Sequence, residues 1–289
     1  MKISDAYKSF LLDRAAYCSG KTLVTYEGHL GLLSIYLSIV YSGSDTVFSD
    51  LPDSFMQDFV IWLRRRDITA SSVRSYCRTI KAFLTFCNQK NFCPDLLRGL
   101  KLPKDDAEAP QPLLEEEVEV LDDLLSRCVR NYCIVHLMLD CGLRSSEVVH
   151  LMIQHVDFQH DIINVKVSKG SKSRRVLLPE FLREQLLDYL SGRTAGYLFE
   201  PLRGDGVCIT ENTIKQLMQD LKQKSGITRL HAHLLRHTFA TAYLMGGGNL
   251  EYLRCMMGHT SYNVTQIYTS LAAECTMLQI PVYRLKRIC

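Results

Sequence analysis

A sixteen-residue stretch, "LPKDDAEAPQPLLEEE" (102–117), limits the fold more than any other feature. It carries three prolines, many carboxylates and no hydrophobic periodicity. Such a segment does not belong inside one packed core, because proline removes backbone donors and dense like charge resists burial. The chain is therefore expected to form two lobes. A helical lobe spans 1–104, an acidic, proline-bearing linker spans 105–117, and a second lobe spans 118–289. At 289 residues and 47% hydrophobic, the chain can support two cores.

The first lobe shows only helical spacing. "SDAYKSFLLDRAAYCSG" reads as a helix opened by a capping Ser4 and closed at Gly20. "KTLVTYEGHLGLLSIYLSIVYSG" follows, and its apolar part reads as too short to span a bilayer. Pro52 marks the start of a third helix. In the fourth, Val73, Tyr76, Ile80, Phe83, Leu84 and Phe86 make one apolar face. Arg74, Arg78 and Lys81 recur at helical spacing opposite that face. A stripe of this kind suits a polyanion, although a solvated face gives the same pattern.

In the second lobe the period changes once. "DIINVKVSKGSKSRRVLLP" alternates, with Ile163, Val165 and Val167 on one side and Asn164, Lys166 and Ser168 on the other. Gly170 falls between the two runs, so the segment predicts a β-hairpin with Lys169 and Lys172 at a basic tip. Helices surround it. The fold class is thus mainly α with a small antiparallel sheet (α+β).

Charge supports the division. Residues 1–104 hold 14 Lys+Arg against 9 Asp+Glu, residues 105–117 hold 6 acids and no base, and residues 118–289 hold 20 bases against 16 acids. The net charge of +3 hides two basic lobes behind the acidic strip. The 11 cysteines form no CxxC pair, so they read as small apolar residues of a reduced compartment and not as zinc ligands. The first residues, "MKISDAYKSF", have no secretion-signal pattern.

Chemistry concentrates between His233 and Ser270, and near Arg144. Arg144 opens a short helix, where backbone N–H groups favour an anion. His233 and Arg236 lie three apart and share a helix face. His259 follows Gly258 at a tight turn, and Tyr268 comes nine residues later. Guanidinium forks stabilise a phosphoryl group in transfer, a tyrosine oxygen attacks phosphorus, and a lysine protonates the leaving oxygen. Each residue alone has a plain structural reading as cap, core residue or ion pair. A metal site on His231, His233 and His237 is the competing reading.

Together, "CGLRSSEVVHL", "SKGSKSRRVLLP", "HLLRHTFAT" and "MMGHTSYNVTQIYTS" closely resemble the boxes of the tyrosine recombinase, or lambda-integrase-like, family, in order and at matching intervals. The resemblance implies an N-terminal four-helix, SAM-like core-binding domain and a C-terminal catalytic domain. It implies a site-specific DNA recombinase of short Xer-type or mobile-element layout, working through a 3′-phosphotyrosyl intermediate and a Holliday junction. It assigns Tyr268 as nucleophile, Arg144, Arg236, His233 and His259 to the phosphoryl group, Lys169 to the leaving oxygen and Glu147 to support. Arg74, Arg78, Lys81 and Lys172 are expected on DNA. No metal or other cofactor is implied. The expected partners are double-stranded DNA with paired sites, three further copies of the chain in a homotetramer, and accessory DNA-bending proteins. No membrane is expected, and the location is cytoplasmic, at the nucleoid. The tail after Tyr268 is expected to pack on a neighbouring protomer. "LMGGGNLEY", with three glycines, departs from the family pattern and is expected to loosen the turn before His259. A type IB topoisomerase-like nicking enzyme and a DNA-binding relic are the alternatives.

Overall fold

The computed structural model describes residues 1–41, 46–97, 111–166, 173–202, 207–258 and 262–285. Lys169, Lys172 and His259, and most of the expected linker, lie outside the described residues. The chain divides into two compact units, Met1–Glu108 and Ala109–Cys289.

The first unit contains α1 (Ile3–Ala15), α2 (Gly20–Val40), α3 (Phe55–Arg64) and α4 (Ala70–Gln89). Ser4 does not cap α1, which starts at Ile3 after an uncapped Lys2. Gly20 does not end α1 either; it begins α2, and Ser19 Oγ accepts the Thr22 N–H there. A serine one residue before a helix satisfies a donor that the helix leaves unpaired, so the "CSG" segment is a start signal as well as a stop. The length reading of α2 is also corrected. It has 21 residues and an 18-residue window of mean hydropathy 1.3, enough by length and composition to cross a membrane. Its Leu30, Leu33, Tyr36 and Leu37 are buried, and the helix packs on α1 and α4. On α4, Val73, Cys77, Ile80, Phe83, Leu84, Phe86 and Cys87 enter the same core, with Tyr76 half-buried against His29. Thr69 caps α4 through the Ser72 N–H. Arg78 and Lys81 are exposed and Arg74 is half-buried.

The second unit contains α5 (Glu115–Leu125), α6 (Val129–Leu139), α7 (Ser145–Val149), β1 (Val156–Asp157), β2 (Ile162–Val165), β3 (Arg174–Leu177), α8 (Glu180–Leu190), α9 (Glu211–Ser225), α10 (Ala232–Met245), α11 (Leu250–Met257) and α12 (Tyr262–Met277). The sheet is antiparallel in the order β1-β2-β3, with Ile163 opposite Val176 and Val165 opposite Arg174. Strand β1 was not foreseen, because two residues are too few to show alternation. Glu115, Glu116 and Glu117, counted with the linker from composition, form the first turn of α5. Carboxylates there oppose the positive end of the helix dipole, and Glu117 is further held by Arg229 at 2.5 Å.

Glycines fix the chain paths that build the site. Gly142 follows α6 with φ +65°, and a Cβ there would stand 2.5 Å from the Phe239 ring. Both the left-handed backbone and the contact with α10 therefore require glycine. The three glycines after α10 tighten the turn instead of loosening it: Gly247 has φ +84°, and a Cβ on Gly248 would meet the Tyr243 ring at 2.1 Å.

The tail folds back on its own unit. Glu115 N–H donates to Pro281 O at 2.9 Å, and Tyr283 N–H donates to Leu113 O at 3.0 Å. Tyr283 is buried in the main core of the unit, and its hydroxyl donates to Asp140 Oδ1 at 2.9 Å. Asp140 also holds His136 Nδ1 at 2.7 Å, and Asp122 holds the other ring nitrogen at 2.8 Å. The described part of the tail, through Leu285, packs on its own unit.

Candidate active site

Arg144 occupies the N-cap of α7. Glu147 reaches back and accepts the Arg144 backbone N–H at 2.8 Å. The side chain is held as well. Its Nη1 meets Glu147 Oε1 at 2.9 Å, its Nη2 donates to Gly258 O at 3.3 Å, and about a third of it is exposed to solvent.

Arg236 projects from α10 and is only 4% exposed. It donates to the carbonyls of Gly142 and Met257, so the Gly142 turn and the end of α11 hold its fork in place. Glu147 Oε2 lies 4.0 Å from its Nη1. Burial presses its pKa down, the neighbouring charges of Arg144 and Arg174 add to this, and Glu147 opposes it. A buried site with excess positive charge is completed by an anion.

Glu147 is itself buried. Desolvation raises its pKa, but the bonds and charges of Arg174 and Arg144 win and bring it down to about 2. Its folded-state pKa is lowered, so its contribution to stability is present above the usual carboxylate range and is lost as pH falls toward 2.

His233 lies on the exposed side of the same helix. Desolvation, then the positive charge of His231, Arg236 and Arg144, keep its pKa below the ordinary value, so the ring is neutral near pH 7. His237 is pushed lower still, to about 4, mainly by burial. Its ring packs 5.3 Å from that of Tyr268. Among the described residues, no three or more His, Cys, Asp or Glu side chains gather as a metal site.

Tyr268 sits on α12, 4% exposed, in a small core with Phe239, Ala240, Leu253 and Met257. Burial raises the pKa of its hydroxyl, while Arg236 and Arg144 lower it. Among the described residues, these two arginines thus favour the phenolate as it forms. Arg144, Glu147, His233, Arg236 and Tyr268 are brought together from three helices that are far apart in sequence. Arg74, Arg78 and Lys81 belong to the first unit.

The motifs did not single out Arg174. It lies on β3 in a buried–exposed alternation with Val176. An arginine on the buried side of a strand needs a carboxylate partner, and that parity was the available signal.

A buried tyrosine packed beside a cluster of arginines is an arrangement suited to phosphodiester chemistry. Comparison with known proteins agrees. The model of the phage integrase family matches residues 111–274. Tyrosine recombinase XerA of Pyrococcus furiosus is 32% identical over 220 residues, covering 75% of each chain. Tyrosine recombinase XerC of Staphylococcus saprophyticus is 27% identical over 285 residues, covering 94% of each. Among solved structures, the crystal structure of XerA recombinase matches with TM-score 0.52 at 26% identity, over 96% of this chain and 100% of that one. The Tn1549 transposon integrase in complex with a circular intermediate DNA matches with TM-score 0.78 at 19% identity, over 97% of this chain and 100% of that one, and shows the shared fold. The chain belongs to the phage integrase family, and it is a tyrosine-type site-specific DNA recombinase.

Proposed function

We propose that the chain cuts and rejoins DNA by two transesterifications through Tyr268. The observation that carries this reading is the packing of the buried Tyr268 with Met257, whose carbonyl accepts from Arg236, beside Gly258, whose carbonyl accepts from Arg144. In the first step the tyrosine oxygen attacks phosphorus, the bond to the 5′-oxygen breaks, and a 3′-phosphotyrosyl link remains. Arg144, Arg236, His233 and His259 hold the non-bridging oxygens, where charge builds in the transition state. Lys169 gives the leaving oxygen its proton. In the second step the 5′-hydroxyl of a partner strand attacks the phosphotyrosine. The link keeps the energy of the phosphodiester, so the cycle needs no nucleotide and no metal.

Double-stranded DNA is the substrate. Arg74, Arg78 and Lys81 on α4 suit its backbone, and Lys172 would join them from the hairpin. Four copies on paired sites exchange strands through a Holliday junction, with DNA-bending proteins as accessories, in the cytoplasm at the nucleoid. Solved relatives support the DNA partner: XerH recombinase was captured on difH substrate, and the Tn1549 integrase on circular intermediate DNA.

Pairs of duplexes from the DNA flanking the gene, incubated with the protein and a chelator, test this. The reading expects four-way junctions and reciprocal products. Relaxation of supercoiled plasmid without junctions would instead make the chain a nicking and resealing enzyme.

A further inference from the structure

Arg174 stands at the centre of the charged cluster, although no motif marked it. It is 9% exposed. Its Nη1 and Nη2 donate to Oε1 and Oε2 of Glu147, each at 2.7 Å, in a two-pronged pair. Its Nε donates to Met256 O. Three arginines thus hold three successive carbonyls at the end of α11: Arg174 holds Met256, Arg236 holds Met257 and Arg144 holds Gly258. Gly258 has φ +60°, and a Cβ there would stand 3.3 Å from Arg174 Nη1, so the turn closes directly over this guanidinium.

We propose that Arg174 is a positioning residue for phosphoryl transfer, acting through Glu147. The inference rests on the recombinase reading of the site. Without Arg174, Glu147 would keep its charge in a buried place and lose its two strongest donors. Among the described residues, the nearest remaining cation not already bonded to it is Arg236, 4.0 Å away. At low dielectric that attraction is strong, and Arg236 would close onto the carboxylate instead of facing a phosphate. Arg144 would be drawn in the same way. By occupying the carboxylate and fixing the Met256 carbonyl, Arg174 keeps the two phosphate-facing arginines in register with the end of α11. It does not itself touch the reacting atoms.

The role predicts a specific non-additivity, measured as single-turnover cleavage of nicked duplexes from the DNA flanking the gene, alongside DNA affinity. Arg174→Gln is expected to slow cleavage ~100-fold while affinity changes less than ~3-fold, because a transition-state contact is lost and not uniform binding. In a Glu147→Gln background the same substitution is expected to change the rate less than ~3-fold, since the carboxylate that captures the other arginines is gone. Arg174→Lys, which keeps the charge without the fork, is expected to fall between wild type and Arg174→Gln and to be relieved by Glu147→Gln in the same way. Equal rate losses in both backgrounds, lost affinity at unchanged rate, or a wild-type rate in Arg174→Gln would each overturn the role. If Arg174→Gln does not fold, the Arg174→Lys pair decides by the same criterion. Failure of the wild-type chain to form an adduct that depends on Tyr268 would overturn the underlying reading; a wild-type adduct with additive Arg174 losses would overturn only this one.

Discussion

Arg236 shows how a single side chain is prepared for the reaction. Its fork is bonded to carbonyls from two different segments, Gly142 and Met257, before any substrate arrives. A donor fixed in advance costs no reorganisation when charge develops on the phosphate. Arg236→Ala should therefore lose cleavage by about two to three orders of magnitude while retaining DNA binding, since one preorganised donor is worth roughly that much. Single-turnover cleavage beside a gel-shift titration measures both, and normal cleavage would remove the residue from its assigned role. The three-residue step of His233 and Arg236 on one helix was legible in the sequence, but not that His233 is exposed while Arg236 is buried. Arg174 was not legible as a site residue, because "SRRV" offers two arginines and only the strand's parity says which one turns inward. The occupied N–H of Arg144 was hidden as well, since the sequence shows Glu147 three residues on but not that its carboxylate reaches back.

Among the elements, the C-terminal strap is the one that hydrophobic periodicity shows least. Tyr283 is 1% exposed, and it joins Asp140, His136 and Asp122 in one hydrogen-bonded chain. Burial works against the His136 imidazolium, but Asp122 and Asp140 outweigh it and the pKa is raised. The stability it adds is complete below the usual histidine range and fades as pH rises through the folded-state value. Tyr283→Phe leaves Asp140 short of a donor and should cost about 1–3 kcal/mol, the penalty for an unsatisfied buried group. The melting temperature should fall by roughly 2–12 °C, given about 2–4 °C per kcal/mol for a unit of this size. An unchanged melting temperature would mean that the hydroxyl contributes nothing to strap docking. The four helices of the first unit and the β2–β3 hairpin could be read from periodicity. The strap could not, because its few apolar residues find partners only after the core of the second unit exists. The start of α5 was obscured in a similar way: three glutamates look like linker until the helix dipole is considered.

For the whole molecule, the sequence alone indicates two units, and the contacts divide the chain at Glu108. The net charge of +3 understates what each unit offers a polyanion, because the acidic strip lies between two basic regions. DNA binding should weaken steeply with salt, with log K falling by roughly 0.9 per phosphate contact for each unit of log salt concentration. Affinity measured across a salt series, with Arg78→Ala and Lys81→Ala for comparison, checks this. A flat profile would argue against backbone contacts by these residues.

Whether Tyr268 takes the DNA 3′-phosphate is read out by covalent trapping. Nicked duplexes from the DNA flanking the gene would be incubated with the protein and a chelator. The products would be resolved on a denaturing gel beside Tyr268→Phe, and the adduct digested and mapped by mass spectrometry. A chelator-resistant adduct on the peptide containing Tyr268 is expected, absent from a Tyr268→Phe variant that still binds DNA. An adduct that survives in Tyr268→Phe, or maps to another residue, would contradict that role.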